Sequence, residues 1–197
     1  MLPKILFKLK SPYVFLTFDD GPHPEITPQI SDLLVSFDIK ATFFVEGRKA
    51  QQFPQVVKAV SDAGHVIGNH SFNHPRMFFR SQLFLYSEIK NTDAAIADIT
   101  DKKPILFRPP YGCFAAGVLT VLKTTNHKMV LWNRNVRDYQ KHASPEIIKA
   151  RIMKSAKPGN IVLLHDGHYN SGATLQALKD SLGELTGSGF IFSAIPE

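Results

Sequence analysis

Short apolar, β-rich runs alternate with amphipathic segments of helical length along the whole chain. The runs at 13–18, 41–45, 65–68, 105–108, 128–132, 160–164 and 190–194 are too short for helices and rich in β-branched and aromatic residues, which predicts seven strands. Between them the spacing of apolar positions predicts helices over 24–37, 54–63, 81–99, 115–124, 145–155 and 173–185. Ser144, Pro145 and Glu146 read as an N-cap with Pro in the first turn, and Pro158-Gly159 as a stop before the next strand. A strand, a helix and two short loops repeat throughout, which is the pattern of βα units on a mostly parallel sheet.

Polar residues crowd the C-terminal ends of these strands: Asp19 and Asp20, His70, Arg108, Asp138 and His165. In an open sheet such groups gather at one switch point. Contributions from five different strands converge most readily when the sheet curls round, so the expected fold class is α/β, an irregular (β/α) barrel of seven to eight parallel strands. Residues 13–197 would form that single domain, preceded by a short N-terminal segment over residues 1–12.

Composition narrows the chemistry. The 197 residues include one cysteine, Cys113, and eight histidines, so neither an internal disulfide nor a cysteine-based metal site exists. A bound metal would need His, Asp or Glu. The 23 Lys and Arg against 17 Asp and Glu give a net charge of +6, but the basic residues are scattered and accompany no nucleic-acid-binding motif. They read as a solvated surface, with no nucleic-acid partner expected. The chain shows neither a signal-peptide pattern nor an apolar run long enough to cross a bilayer, which sets a cytoplasmic or membrane-peripheral location as the default expectation. Leu2, Ile5, Leu6 and Leu9 alternate with Lys4, Lys8 and Lys10 at helical spacing. This segment is expected to lay its apolar stripe on the domain, with weak peripheral membrane contact as the other use of the pattern.

Four clusters carry candidate chemistry. Thr17-Phe18-Asp19-Asp20-Gly21-Pro22 sets adjacent carboxylates at a strand end, where neighbouring side chains point apart and two acids can do two jobs; an ordinary Asp-Gly turn has the same dipeptide. His70 and His74, at i and i+4, would share one face of a helical turn within reach of one ion. With one carboxylate they would make a three-ligand site open to water and substrate. Arg108-Pro109-Pro110-Tyr111-Gly112 is a stiff strand exit that holds an Arg where it can pair with an acid and leaves the Tyr111 N–H free to face an oxyanion. Leu163-Leu164-His165-Asp166 ends an apolar strand in an ionisable group, as a functional histidine or a satisfied core one would.

Taken together, TFDDGP at 17–22, HSFNH at 70–74, RPPYG at 108–112, WNRNVRDY at 132–139 and LLH at 163–165 resemble the five ordered motifs of the polysaccharide deacetylases, the NodB homology domains of carbohydrate esterase family 4. The resemblance spans residues 13–195 and implies an irregular barrel. It also implies a metal-dependent hydrolase that removes N-acetyl groups from N-acetylhexosamine-containing glycans such as peptidoglycan or a chitin-like oligosaccharide. Carried over residue by residue, it makes Asp20, His70 and His74 the ligands of a divalent metal, Zn²⁺ or alternatively Co²⁺. Asp19 becomes the base and His165 the acid acting on a metal-bound water. Arg108 would pair with Asp19, Asp138 with His165, and the Tyr111 backbone N–H would face the oxyanion. Leu163 and Tyr139 would shape the pocket for the acetyl methyl group. Tyr139 stands where the family commonly has Trp, and Asn133 and Asn135 where it has further aspartates. Alternatives on the same fold are an O-acetyl glycan esterase, a small cyclic-amide hydrolase, or a glycan-binding relative without catalysis. Cys113, directly after RPPYG, reads as packing, as does part of the apolar run from Met77 to Tyr86.

Overall fold

In the computed structural model, which describes residues 3–197, six of the seven apolar runs form strands of one parallel sheet. They are β2 (Phe15–Gly21), β3 (Thr42–Val45), β4 (Val66–Asn69), β5 (Leu106–Phe107), β6 (Lys128–Val130) and β8 (Ile161–His165). Two further strands, β1 (Ile5–Leu6) and β7 (Arg134–Asn135), complete the order β1-β6-β5-β4-β3-β2-β8-β7. Thus Ile5 and Leu6, at helical spacing in the sequence, pair as a strand with Met129 and Val130. Leu2 lies outside the described residues. The run at 190–194 does not form a strand. Both edges of β2 are already taken by β3 and β8, and only Val14, ahead of that ladder, remains to bridge Phe192.

The six expected helices are α1 (Ile26–Ser36), α3 (Pro54–Asp62), α4 (Gln82–Thr100), α5 (Ala116–Thr125), α6 (Pro145–Ser155) and α7 (Ser171–Gly187), all close to their expected bounds. Ser144 caps α6 by accepting the Ile147 N–H, and Ser81 caps α4 by accepting that of Phe84. A short α2 (Gly47–Gln52) adds one turn that apolar spacing does not announce. No helix among the described residues is long and apolar enough to cross a membrane.

The sheet curls round so that the segment between β6 and β7 bridges its two sides. These strands lie toward opposite edges, yet only residues 131–133 join them. Three residues reach about 10 Å at most, so the edges must curl together. Leu131 N–H donates to the Leu6 carbonyl on one side, while Asn133 N–H reaches the Ile161 carbonyl on the other. The Asn133 side chain completes the seam: its oxygen accepts the Ile161 N–H at 2.9 Å and its nitrogen donates to Asn160 Oδ1 at 2.8 Å. Asn133 thus ties the connecting segment to the start of β8.

Alternation along the strands separates an inner apolar face from an outer one. Leu16, Phe18, Phe43, Val45, Val162 and Leu164 pack outward in the largest apolar cluster, with the Phe18 and Phe43 rings stacked at 4.9 Å. Phe15, Phe44, Leu106, Val130 and Ile161 form a separate inner cluster. The period of two carries the inner face from Phe15 through Thr17 to Asp19, and from Ile161 through Leu163 to His165. The β2–β8 register then sets Thr17 opposite Leu163 and Asp19 opposite His165.

Asn133→Ala removes both side-chain bonds of the seam. We expect it to lower the unfolding free energy by about 1–3 kcal/mol, seen as a lower denaturant midpoint at an unchanged slope.

Candidate active site

The site residues come from the ends of several strands, two of them, Asp19 and Asp20, from β2. On β2 the ladder with β3 slips between Asp19 and Gly21, and Asp20 takes a left-handed backbone, φ 68°. This irregularity turns the second of two adjacent carboxylates toward the same cavity as the first. Close approach behind it requires glycine: a Cβ at position 167 would fall 1.7 Å from the Asp20 carbonyl oxygen.

Asp19 is buried, with 3 % of its surface exposed, and one carboxylate oxygen is bound by Arg108 Nη1 at 2.6 Å. Arg108 is itself fully buried; the same Nη1 donates to Thr17 Oγ1, and its other nitrogens reach the Val130 and Leu131 carbonyls. Its guanidinium lies over the Phe44 ring, 4.1 Å from the centroid. Burial lowers the Arg108 pKa while the paired Asp19 charge opposes that effect. The other Asp19 oxygen stays on the cavity side, 3.7 Å from His70 Nε2.

Asp20, His70 and His74 form a triangle of potential ligand atoms, all within 4.8 Å of one another. Asp20 Oδ1 lies 3.4 Å from His70 Nε2 and 3.2 Å from His74 Nε2. His70 Nδ1 donates to the Arg108 carbonyl at 2.8 Å, which leaves Nε2 to face Asp20. Burial alone would favour neutral Asp20, yet hydrogen bonds from His70 and His74 and the nearby positive charge hold its pKa far below the ordinary carboxylate range. Burial also opposes protonation of His70, but the Asp19 and Asp20 charges outweigh it and raise its pKa. The cluster therefore calls for positive charge at the point where its oxygen and two ring nitrogens meet. A donor set of two imidazoles and one carboxylate fits a divalent cation with a coordination position left open.

The two histidines converge for a reason other than helical spacing. Residues 70–74 are not helical; the chain turns through left-handed conformations at Ser71, φ 67°, and His74, φ 53°. The imidazole of His74 also stacks edge-on against Tyr111, centroids 4.6 Å apart. Tyr111 is in the left-handed region as well, φ 60°, within the turn that follows the two prolines.

Across the cavity His165 Nδ1 donates to Asp138 Oδ1 at 2.8 Å, while Asp138 Oδ2 accepts the His165 backbone N–H and the Thr174 hydroxyl. Burial disfavours a charged His165, but the Asp138 hydrogen bond and charge, with Asp19 and Asp20 beyond, outweigh it and raise its pKa to about 9.

Asp19, Asp20, His70, His74 and His165 line one cavity of about 320 Å³. Tyr111, Leu163 and Tyr139 complete walls of it, whereas Arg108 and Asp138 stand behind the residues they hold. Asn135, Trp132 and His168 also line it, and the last was not among the sequence candidates. Its only signal was the second histidine of the HDGH run that begins at the end of β8. Asp166 was likewise not singled out. It is buried behind Gly21, bound by the Thr27 hydroxyl, and burial raises its pKa to about 7. The Cys113 thiol donates to the Tyr111 carbonyl at 3.4 Å from a half-buried position outside the cavity wall. Met77 and Leu85 are core, while Phe78, Phe79 and Tyr86 are exposed.

Comparison with known proteins adds the family context. The family model described as polysaccharide deacetylase matches residues 8–130, more than half of the chain. A peptidoglycan-N-acetylglucosamine deacetylase of Bacillus cereus is 38% identical over 195 residues, covering 93% of this chain and 86% of its own. Among solved structures, the Bc1960 peptidoglycan N-acetylglucosamine deacetylase superposes with a TM-score of 0.91 at 31% identity, over 98% of this chain and 91% of that one. A family pseudoenzyme from Bacillus anthracis superposes at 0.89 with 28% identity, over 99% of this chain and 68% of its own, so the fold extends to members described as pseudoenzymes. On the match to its model and the identity to its members, this chain belongs to the polysaccharide deacetylase family.

Proposed function

We propose that this chain hydrolyses the N-acetyl groups of an N-acetylglucosamine-containing glycan, peptidoglycan or a chitin-like oligosaccharide, at the cavity bounded by Asp19, Asp20, His70, His74 and His165. The juxtaposition of the Asp20–His70–His74 triangle with a buried carboxylate on one side and an imidazole paired to Asp138 on the other supports this reading. Likeness to a pseudoenzyme makes the residue set, rather than the fold, the feature that separates catalysis from mere binding. This chain carries a candidate for each role.

Asp20, His70 and His74 would hold zinc, with cobalt as a second candidate. Bound there, the ion would supply Lewis-acid polarisation of the acetamide carbonyl and a lowered pKa of the attacking water. The cavity-side oxygen of Asp19 takes the proton of that water as its oxygen bonds to the carbonyl carbon. Arg108 fixes which Asp19 oxygen is free for this, because the other is committed at 2.6 Å. The Tyr111 backbone N–H donates to the oxyanion that develops. His165, oriented through Nδ1 by Asp138, gives its Nε2 proton to the sugar nitrogen as the C–N bond breaks. The products are acetate and a free amino sugar, which takes up a positive charge at neutral pH. Leu163 and Tyr139 bound the space for the methyl group, and the Tyr139 ring stands edge-on to His165 at 5.2 Å.

Purified protein is expected to release acetate from N-acetylglucosamine oligomers or peptidoglycan and not from acetylated xylan; release from xylan alone would replace this reading with an O-acetyl esterase. Chelation should abolish turnover, with zinc or cobalt restoring it. Asp19→Asn should lower kcat by about 10²-fold or more while bound metal, measured on the same sample, stays stoichiometric; full activity in that variant would overturn the assignment of the base. Neutral His165 has no proton to give, so kcat/KM should fall as pH rises through its value of about 9. Asp138→Asn removes the opposite charge, which lowers the His165 pKa and should move the alkaline limb of the pH–rate profile to lower pH.

A further inference from the structure

The loop that carries both histidines has no regular secondary structure, yet its amide groups are engaged by side chains one after another. Ser71 N–H donates to Asn69 Oδ1 at 2.8 Å, and His74 N–H to the Ser71 hydroxyl at 3.1 Å. The two amides between them converge on one atom: Phe72 N–H and Asn73 N–H donate to Glu88 Oε2 at 3.0 and 2.8 Å. The Asn73 side-chain amide binds the other oxygen, Oε1, at 2.8 Å. On the far side the loop carbonyls of Ser71 and Phe72 accept the first N–H groups of α2, those of Gly47 and Arg48.

Glu88 sits among Leu85, Ile89, Thr92 and Ile96 on the buried face of α4, with 4 % of its surface exposed. A carboxylate in that position is costly unless its charge is compensated. Among the described residues no Lys, Arg or His forms an ion pair with it. Its bonds run instead to the loop between the two histidines.

We infer that Glu88 is a positioning residue for the metal site, its carboxylate holding the 71–74 turn in the left-handed conformation that brings His70 and His74 together. This rests on the proposed reading of Asp20, His70 and His74 as ligands. The charge matters because three N–H groups donate to one carboxylate in a buried setting, where charge-assisted bonds are strongest. The neighbouring Asn69 contributes from the strand end: its amide donates to the Ile89 carbonyl and to Asp93, so α4 grips the ligand loop at two heights.

The test is zinc affinity of the full chain, measured by competition with a chromogenic chelator, alongside thermal melts of the metal-free protein. Glu88→Ala is expected to weaken zinc binding by about 10–100-fold, as loss of a residue that orients ligands does. Glu88→Gln keeps one accepting oxygen but not the charge and should recover only part of that loss. Asn73 is exposed, so Asn73→Ala removes its side-chain donor to Glu88 Oε1 and adds no charge; it should weaken zinc binding in the same direction, with the metal-free melting temperature little changed. It keeps the inference testable if Glu88→Ala does not fold. Variants that melt earlier but bind zinc as tightly as the parent chain would give Glu88 a purely structural role and overturn the inference. A parent chain that binds no zinc would overturn the reading of the ligand triangle itself, and this inference with it.

Discussion

The buried Arg108–Asp19 pair is the interaction on which the rest of the site depends. A guanidinium with no exposed surface lies at the end of β5, and it can stay charged there only because Asp19, Thr17 and the Val130 and Leu131 carbonyls accept from it. Those partners belong to β2, β6 and the segment that joins β6 to β7. Losing one member would strand the other as an uncompensated buried charge, a cost of about 3–5 kcal/mol. The pair therefore ties opposite walls of the barrel together and at the same time dedicates one face of Asp19 to the cavity. Through its carbonyl Arg108 also sets the ring orientation of His70, so base and ligand candidates share one anchor.

Around that anchor the backbone departs from regular geometry wherever a side chain must be aimed. Asp20, Ser71, His74, Tyr111 and Arg137 all have positive φ, and each lies in or beside a residue that borders the cavity or orients one that does. Such conformations cost of order 1–3 kcal/mol each and persist only where surrounding contacts over-determine them. Here those contacts can be named: the β2 slip and Gly167 for Asp20, Glu88 and Asn69 for the histidine loop, the paired prolines before Tyr111, and the bonds of Asp138 to His165, Thr174 and Asn170 beyond Arg137.

Much of this was legible in the sequence where period or chemistry left a mark. Helices with an apolar stripe were readable to within a turn, and the long strands through their apolar runs. Two of the three two-residue strands were not, because two residues carry no period: β1 falls within an amphipathic stripe and β7 inside the 132–139 motif, whereas β5 sits in the longer apolar run at 105–108. The i, i+4 spacing of His70 and His74 pointed to a shared ion, but through a helical turn the chain does not make. Glu88 left a fainter trace, a carboxylate at a core position of a helical stripe, which gains meaning only when the loop it touches is known.

The sequence by itself determined the alternation of strand and helix, the inner and outer faces of β2 and β8, and the placing of acids, imidazoles and guanidinium at strand ends, because these follow from the period of two and from local hydrophobic order. Only the tertiary structure decided that the curled sheet is bridged through 131–133, that Asp19 meets His165 in register, and that side chains distant in sequence bind the ligand loop. The physical reason is range. Faces and helix ends are settled by neighbours along the chain, whereas buried charges and unpaired amides must find partners across it, and those partners are known only once the barrel has formed.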